Sequence, residues 1–576
     1  MNILGLIGYG FNPGAALIKD GLLVAHSEEE RFTRFKGSHF LFPEKSMVWM
    51  LKENQLDFND IDAIVWAWDQ DLYRFQMPWF FLKSFFKHGL TGNNNGSAIT
   101  VGAHLAEQLP GVVRQKIHHA LVASGISGRI PPIHFISHHL SHAASSYYLS
   151  GFDESNILVI DGSGEKYCTS LYQGENLSIQ DIEHIEIPNS LGWFYAAITE
   201  YLGFIPYRDE GKVMGLAAYG QARPDIITRM KNIISITDDG YEVNPRFTLL
   251  GAHSKGKHFS DELEELLGPR RLYNTSLQGH EKDIAYAAQH LLEQAAAALL
   301  RRLQQKNDSN NLCLAGGVTL NCKMNGFLRK QPGVNNLFVQ PSANDAGSAL
   351  GAALVFAKQH HVLKPQRLKH TYFGSAYSDQ AIETKLKNSR VAYRHTNDIP
   401  KLVAQALSQN RIVGVFQGRA EFGARALGHR SILANPSMPD AKDIVNLRVK
   451  FRENWRPFCP SLLDEDRDKY IKSADHAPFM AIAYELKEEW NSFFPSIVHV
   501  DGSIRPQTVS EQDHPFMWKC LSELKQITGH SIVMNTSFNV RGQPIVESPE
   551  DAIACFFATG LDAMAIGNFW LEKEAL

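Results

Sequence analysis

A unit of strand, glycine-rich turn, strand, tight turn and strand occurs twice in this chain, and few folds accommodate such a pair. The first copy starts at Asn2-Ile3-Leu4 and passes through a turn holding Gly8, Gly10, Asn12, Pro13 and Gly14. It continues as Ala15-Ala16-Leu17-Ile18, turns at Asp20-Gly21 and ends in Leu22-Leu23-Val24-Ala25. The second copy also starts Asn156-Ile157-Leu158, passes through Asp161-Gly162-Ser163-Gly164 and continues as Cys168-Thr169-Ser170-Leu171-Tyr172, with Gly174-Glu175-Asn176 as its turn. Short apolar runs bounded by Gly, Asn, Asp and Pro are strand and hairpin signals. Two glycine-rich hairpins suit a two-lobed, actin-like domain in which each turn offers backbone N–H groups to a phosphate. Two unrelated hairpins in an α/β protein would leave the same trace.

Helices are expected between and after these units. The Ala-, Leu- and Gln-rich stretch 283–306 predicts a long, largely buried helix, and 347–360 predicts another. Residues 91–96 read as a polar loop. The stretch 362–370 lacks periodicity and reads as a linker, which puts the main boundary near residue 365. The chain is therefore α/β, with a larger N-terminal and a smaller C-terminal domain.

Composition narrows the class. Of 576 residues, 44% are hydrophobic and 20% charged, which excludes a disordered chain. Lys plus Arg is 57 against 61 Asp plus Glu, a net charge of -4 that excludes a generally basic nucleic-acid coat. The six cysteines include no CxxC pair, which argues against a zinc ribbon and fits a reducing compartment. The N-terminus lacks the charged region of a signal peptide. The apolar patch 77–86 is interrupted by Lys83 and too short to span a bilayer. These features predict a cytoplasmic protein with no membrane partner.

Several constellations carry chemistry. In Ser137-His138-His139-Leu140-Ser141-His142, two histidines stand at i and i+4, one helical face, which is metal-ligand spacing. Two buried histidines with backbone partners would share that spacing. Asp161 ends an apolar strand, and Asp345 precedes a helix; together they could complete a His/His/Asp/Asp site for iron(II), manganese or zinc. Gly316-Gly317, followed by Asn321, makes a turn that could approach a nucleotide or serve only as a tight strand–helix connection. The loop 209–216 is a further glycine-punctuated candidate. In residues 417–430, Arg419, Arg425 and Arg430 stand among glycines, followed by Lys450, Arg452 and Arg456. Arg505 and Ser537 lie in later loop motifs. Arginine forks in glycine-rich loops suit a bidentate phosphate pocket better than a solvated face.

Taken together, these motifs resemble the O-carbamoyltransferases typified by nodulation protein U and by the cephem and tobramycin carbamoyltransferases. The resemblance rests on Ser27-Glu28-Glu29-Glu30-Arg31-Phe32, His138 to Ala143, Gly211 to Ala218, Ala315-Gly316-Gly317-Val318, Gly418 to Arg430, Arg456-Pro457-Phe458, Arg505 to Thr508 and Asn535 to Asn539, and it covers essentially the whole chain. It implies a TsaD-like domain of actin-like fold over 1–362 and an α+β, YrdC-like domain over 371–576. It implies that carbamoyl phosphate and ATP, with Mg2+, form carbamoyl-adenylate in the C-terminal domain, and that a hydroxylated small molecule or sugar accepts the carbamoyl group in the N-terminal one.

His138, His142, Asp161 and Asp345 match the family's metal positions, implying iron(II). Lys36, Asp161 and Arg456 match positions at the reacting groups. Arg425, Lys450, Arg456, Arg505 and Ser537 match ligand contacts, as do Gly316, Gly317 and Asn321. No nucleic acid is expected, a homodimer is allowed for, and residues 70–130, with Trp79-Phe80-Phe81 and Phe85-Phe86, are expected to bound the acceptor. By the same resemblance, many members of that family carry a histidine in the first glycine-rich turn, where this chain reads Gly10-Phe11-Asn12-Pro13-Gly14. Two other readings stay open here: threonylcarbamoyl transfer to transfer RNA, and a non-catalytic actin-like nucleotide switch.

Overall fold

A computed structural model describes residues 1–69, 109–238, 240–249 and 257–573, together with 78, 82 and 86. The chain divides into two units: Met1–Ala25 with His39–Arg367, and His26–Ser38 with Leu368–Leu576.

The first unit holds the duplication. β1 (Asn2–Ile7), β2 (Gly14–Lys19), β3 (Leu22–Glu28), β4 (Ala63–Trp66) and β5 (Ile133–Phe135) form a sheet in the order β3-β2-β1-β4-β5. After helix α1 (His138–Ser150), β6 (Glu154–Ile160), β7 (Tyr167–Glu175) and β8 (Ser178–Glu186) begin the second copy. Helices α2 (Leu191–Tyr201), α3 (Glu210–Ala217) and α4 (Gly279–Gln304) follow, then β9 (Asn311–Ala315), β10 (Asn336–Val339) and α5 (Asp345–Gln359). The second sheet has the order β8-β7-β6-β9-β10, the same order as the first. Each has an antiparallel opening pair, β1–β2 and β6–β7. Each adds two parallel strands beyond the first strand.

The hairpin turns show where sequence reading slips. Asp20 (φ 50°) and Gly21 (φ 81°) turn β2 into β3 as expected. In the second copy the turn falls at Asn176 (φ 49°) and Leu177 (φ 60°), one residue later than the predicted Gly174-Glu175-Asn176. Gly174 stays inside β7 because a Cβ there would stand 2.7 Å from the Tyr147 ring. The glycine marks a close packing contact and not a turn. Core packing under the first sheet comes from Leu4, Leu6, Leu17, Met47, Met50 and Ile64.

The second unit is built on an eight-stranded mixed sheet. Its strands are β11 (Arg394–His395), β12 (Val413–Phe416), β13 (Arg430–Ala434), β14 (Cys459–Leu463), β15 (Gln507–Val509), β16 (Ile532–Ser537), β17 (Ala563–Ile566) and β18 (Phe569–Glu572). They lie in the order β11-β18-β17-β12-β13-β16-β14-β15. Val403, Leu407, Leu521 and Leu524 from α6 (Ile399–Ser408) and α7 (Pro515–Thr528) pack on Val413, Val415 and Ala565.

Residues 26–38 group with this unit and not with the span 1–362 that the sequence suggests. Arg31 donates to Gly423 O at 2.9 Å, and Glu28 accepts Gly423 N at 2.5 Å. Arg34 donates to Ile545 O at 2.6 Å and Pro544 O at 3.1 Å. Near the loop 417–429, Tyr372 stacks on His429 at 3.5 Å, and the buried His514 has no hydrogen-bond partner on either ring nitrogen among the described residues. Burial pushes His429 down to about 4 and His514 to about 3.

All six cysteines are buried and unpaired with one another. Among the described residues no helix is long and apolar enough to cross a membrane.

Candidate metal centre and buried cation cluster

The first site forms where the two glycine-rich copies converge. His138 opens α1 and His142 lies one turn on, so both imidazoles leave the same face. Asp161 follows the last residue of β6, and Asp345 is the first residue of α5. His138 Nε2 lies 3.1 Å from His142 Nε2, 3.3 Å from Asp161 Oδ2 and 3.8 Å from Asp345 Oδ1. The four ligand atoms all fall within 4.8 Å of one another.

Backbone and neighbouring groups aim this set. His138 Nδ1 faces Ala67 O at 3.1 Å, leaving Nε2 inward, and Gly317 N donates to Asp161 Oδ1 at 2.9 Å. Gly316 takes φ 91°, and a Cβ there would stand 2.4 Å from Ile160 O, so this turn needs glycine. Asn321 caps the following helix by accepting Met324 N at 3.0 Å, and its amide donates to Gln289 at 2.8 Å. Its side chain is thus committed to the fold around the turn.

The electrostatics are those of a cation site. Burial opposes charge on His138, but the hydrogen bond to Asp161 and the Asp345 charge outweigh it and raise the imidazole to about 9. Burial and the His138 charge push His142 down to about 3. Burial and the neighbouring Asp161 raise Asp345, while Asp161, bonded to His138, stays below the ordinary carboxylate range. Two imidazoles and two carboxylates at these separations fit one divalent ion.

Glu165, which the sequence reading missed, lies beside the site. Its Oε1 accepts the N–H of His138 and of Asp69, each at 2.7 Å, and burial raises its pKa. Its only sequence signal is a carboxylate four residues after Asp161 in the same glycine-rich turn.

The second site lies in the C-terminal unit. Lys450 is buried, and its Nζ donates to Ser537 O (2.7 Å), Ser537 Oγ (3.2 Å), Asn539 O (2.9 Å) and Asn539 Oδ1 (2.5 Å). Burial and the charges of Arg452, Arg456 and Lys36 push it well below its usual range. Burial and Arg456 likewise push Arg452 down to about 9, with Arg505 adding to the effect. Arg505 donates to Cys459 Sγ at 2.9 Å. Lys36 pairs with Glu30 at 2.8 Å and belongs to this unit through the segment 26–38.

The arginines of 417–430 divide. Arg419 donates to Phe373 O at 2.7 Å and Gly374 O at 3.0 Å. Arg430 is fully buried and donates to the carbonyls of Gln417, His429, Ser375 and Gly418. Both build the loop, contrary to the expectation of three phosphate-facing arginines, because backbone carbonyls engage Nε and one terminal nitrogen of Arg419 and both terminal nitrogens of Arg430. Glu421 completes the loop by accepting the N–H groups of Leu427, His429 and Arg430 at 2.7, 2.7 and 3.1 Å. Arg425 is half-buried in the same loop. Trp79, Phe80, Phe81 and Phe85, expected near the acceptor, lie outside the described residues, as does the predicted loop 91–96.

The sequence profile of the carbamoyltransferase N-terminus matches residues 2–354, and that of the carbamoyltransferase C-terminus matches residues 404–573. Nodulation protein NolNO of Sinorhizobium fredii is 34% identical across 100% of this chain and 81% of its own length. An uncharacterized Synechocystis protein is 36% identical across 100% of this chain and 97% of its own. Nodulation protein U of Rhizobium tropici is 27% identical across 94% of this chain and 91% of its own. Among solved structures, component A of Acidaminococcus fermentans (R)-2-hydroxyglutaryl-CoA dehydratase aligns over 63% of this chain and 99% of its own, at 14% identity and a TM-score of 0.34. With both profiles matched and relatives similar over the full length, the chain belongs to the carbamoyltransferase family.

Proposed function

We propose that this protein is an ATP-dependent O-carbamoyltransferase that uses carbamoyl phosphate, by way of carbamoyl-adenylate, to carbamoylate a hydroxyl of a small natural product or sugar. The observation that carries the reading is the cation cluster of the second unit, where the buried Lys450 lies close enough to Arg452, Arg456 and Lys36 for their charges to add to burial in disfavouring its own. Cations crowd together under burial where a multiply charged anion completes them. ATP and carbamoyl phosphate supply such charge, and a YrdC-like reading of this unit accords with it.

In this scheme carbamoyl phosphate loses phosphate to water, and an oxygen of the resulting carbamate attacks the α-phosphorus of ATP. Pyrophosphate leaves. The acceptor oxygen then attacks the carbamoyl carbon, AMP departs with the electron pair of the broken C–O bond, and the hydroxyl proton goes to solvent. Lys36, Arg456 and Arg505 hold phosphate oxygens in line, Lys450, bonded to Ser537, adds its charge behind them, and Arg425 stands at the loop edge. In the first unit, read as actin-like and TsaD-like, the Gly316-Gly317 turn takes the nucleotide. His138, His142, Asp161 and Asp345 would hold a divalent ion, which we take as iron(II). When bound, that ion supplies Lewis acidity toward a carbonyl or phosphate oxygen. Mg2+ accompanies ATP.

The test is release of pyrophosphate from ATP. It should require carbamoyl phosphate; release that ignores carbamoyl phosphate, or none at all, would sink the reading. Arg456→Ala should abolish release. His138→Ala should keep it while blocking transfer to the acceptor. Equal loss of both half-reactions in each variant contradicts two separate sites.

A further inference from the structure

Two neighbouring strands of the second unit set a thiol against a guanidinium. β14 and β15 pair in parallel, with Ser461 opposite Gln507 and Leu462 opposite Thr508. Two residues upstream of the first of these pairs stand Cys459, which opens β14, and Arg505. Residues two apart along a strand share a face, so the register brings these two side chains together. Arg505 donates to Cys459 Sγ through Nε at 3.2 Å and through Nη2 at 2.9 Å. The contact uses the two-nitrogen edge with which a guanidinium grips carboxylates and phosphates.

The thiol lies among the cations of the second site. Across β14 from β15, Cys459 pairs with Asn535 of β16, two residues before Ser537, which accepts from Lys450. Arg456 is three residues upstream of the thiol. Arg452 stands over the Phe458 ring at 4.5 Å and feels the charge of Cys459.

Sulfur suits this position. A carboxylate here would pair with Arg505 and cancel its charge. An alanine would take this acceptor from the fork. A thiol is a weak acceptor, so it orients the fork and leaves its positive charge to act on an anion. Cys168 shows the other use of a buried thiol, donating to the carbonyls of Ile185 and Asn189 at 3.3 and 3.1 Å. At Cys459 the sulfur receives.

We propose that Cys459 is a positioning residue of the second site, whose sulfur holds the Nε–Nη2 edge of Arg505 without neutralising it, so that the fork meets a phosphate-bearing substrate with its full charge. This rests on the carbamoyl-transfer reading above, in which Arg505 holds a phosphate oxygen.

Steady-state pyrophosphate release by the full chain tests it. Arg505→Lys should raise a KM, for ATP or for carbamoyl phosphate. Cys459→Ala should raise the same KM about tenfold, the scale of a hydrogen bond to a charged group, with kcat changed less. Cys459→Ser, which restores an acceptor, should recover most of the loss. In the Arg505→Lys background, whose ammonium lacks the two-nitrogen edge, Cys459→Ala should shift that KM by less than about twofold. A thiol that only fills space as a small hydrophobe predicts alanine better than serine and the same cost in both backgrounds. Either result overturns the proposal.

A readout without turnover uses the thiol itself, which at 8% is the most exposed of the six. Its sulfur attacks the methylene of iodoacetate, a C–S bond forms, iodide leaves with the C–I electron pair, and the thiol proton goes to solvent. Peptide mass spectrometry should find Cys459 labelled about tenfold faster by iodoacetate than by neutral iodoacetamide, since fixed cations concentrate an anion. Arg505→Ala should remove most of that preference. Equal rates, no labelling, or a preference that Arg505→Ala leaves unchanged overturns the proposal. Absence of carbamoyl-phosphate-dependent pyrophosphate release from the parent protein would instead strike the carbamoyl-transfer reading, while the labelling still judges the thiol.

Discussion

His138 and Asp345 hold protons that a metal ion must displace. His138 is raised to about 9, and Asp345 is raised by burial and by Asp161. At neutral pH His138 is therefore protonated in the metal-free protein, Asp345, raised to about 7, is about half protonated, and these protons leave when a cation binds. Metal affinity should rise with pH, by about tenfold per unit for each displaced proton, until His138 has titrated. Chelator competition across a pH series measures this; a flat profile would contradict it.

His514 has the opposite sign. Its folded pKa, about 3, lies below the unfolded value, so acid favours the unfolded chain. The stability tied to its neutral form is complete above about pH 6.5 and drains as pH falls from there toward the folded value, by about 1.4 kcal/mol per unit. His514→Phe should flatten the fall in Tm between about pH 6.5 and 4.5, a range set by the unfolded pKa. None of this was legible in the sequence. His429 and His514 are far apart along the chain, and only the packing around Tyr372 brings them together.

At the scale of elements, α1 and α5 determine where the metal ligands stand. A Cβ on Gly351 of α5 would lie 1.7 Å from Ser141 O of α1, so the two helices touch backbone to backbone. Gly351→Ala should destabilise the protein by about 1–3 kcal/mol through overpacking. Because Asp345 rides on α5 and His138 and His142 on α1, it should also weaken metal binding, read by the same chelator competition. An unchanged Tm and affinity would mean that the helices part without consequence.

Much of this layer was readable. The hairpins declared themselves through apolar runs and turn residues, and the i, i+4 histidines through helical spacing. Asp161 and Asp345 were harder, because a lone Asp beside a glycine looks the same in a plain turn. The arginines of 417–430 misled: Arg430 reads as a ligand fork, but its two terminal nitrogens are held by four carbonyls.

At the scale of the molecule, the second unit is discontinuous. Ser27-Glu28-Glu29-Glu30-Arg31 looks like a solvated charge run, yet Glu28, Glu29 and Arg31 are buried. Local patterning cannot reveal this, since Arg31 bonds to a residue 392 positions away. A fragment of residues 368–576 should therefore lack part of its own core. Its melting by circular dichroism should be broad or its Tm well below that of the full chain, and a cooperative transition at the full-chain Tm would show that 26–38 is dispensable.

The same discontinuity imposes an order on biosynthesis. The segment 26–38 leaves the ribosome early, but the residues that bury it come after 367. At about 5–20 residues per second, that gap is tens of seconds. Throughout it, Glu28 and Arg31 lack the Gly423 backbone groups to which they bond in the finished protein. What reads as an ordinary hydrophilic stretch thus becomes a buried clasp only after the rest of its unit has been made. The last unit synthesised is finished by a piece made almost first.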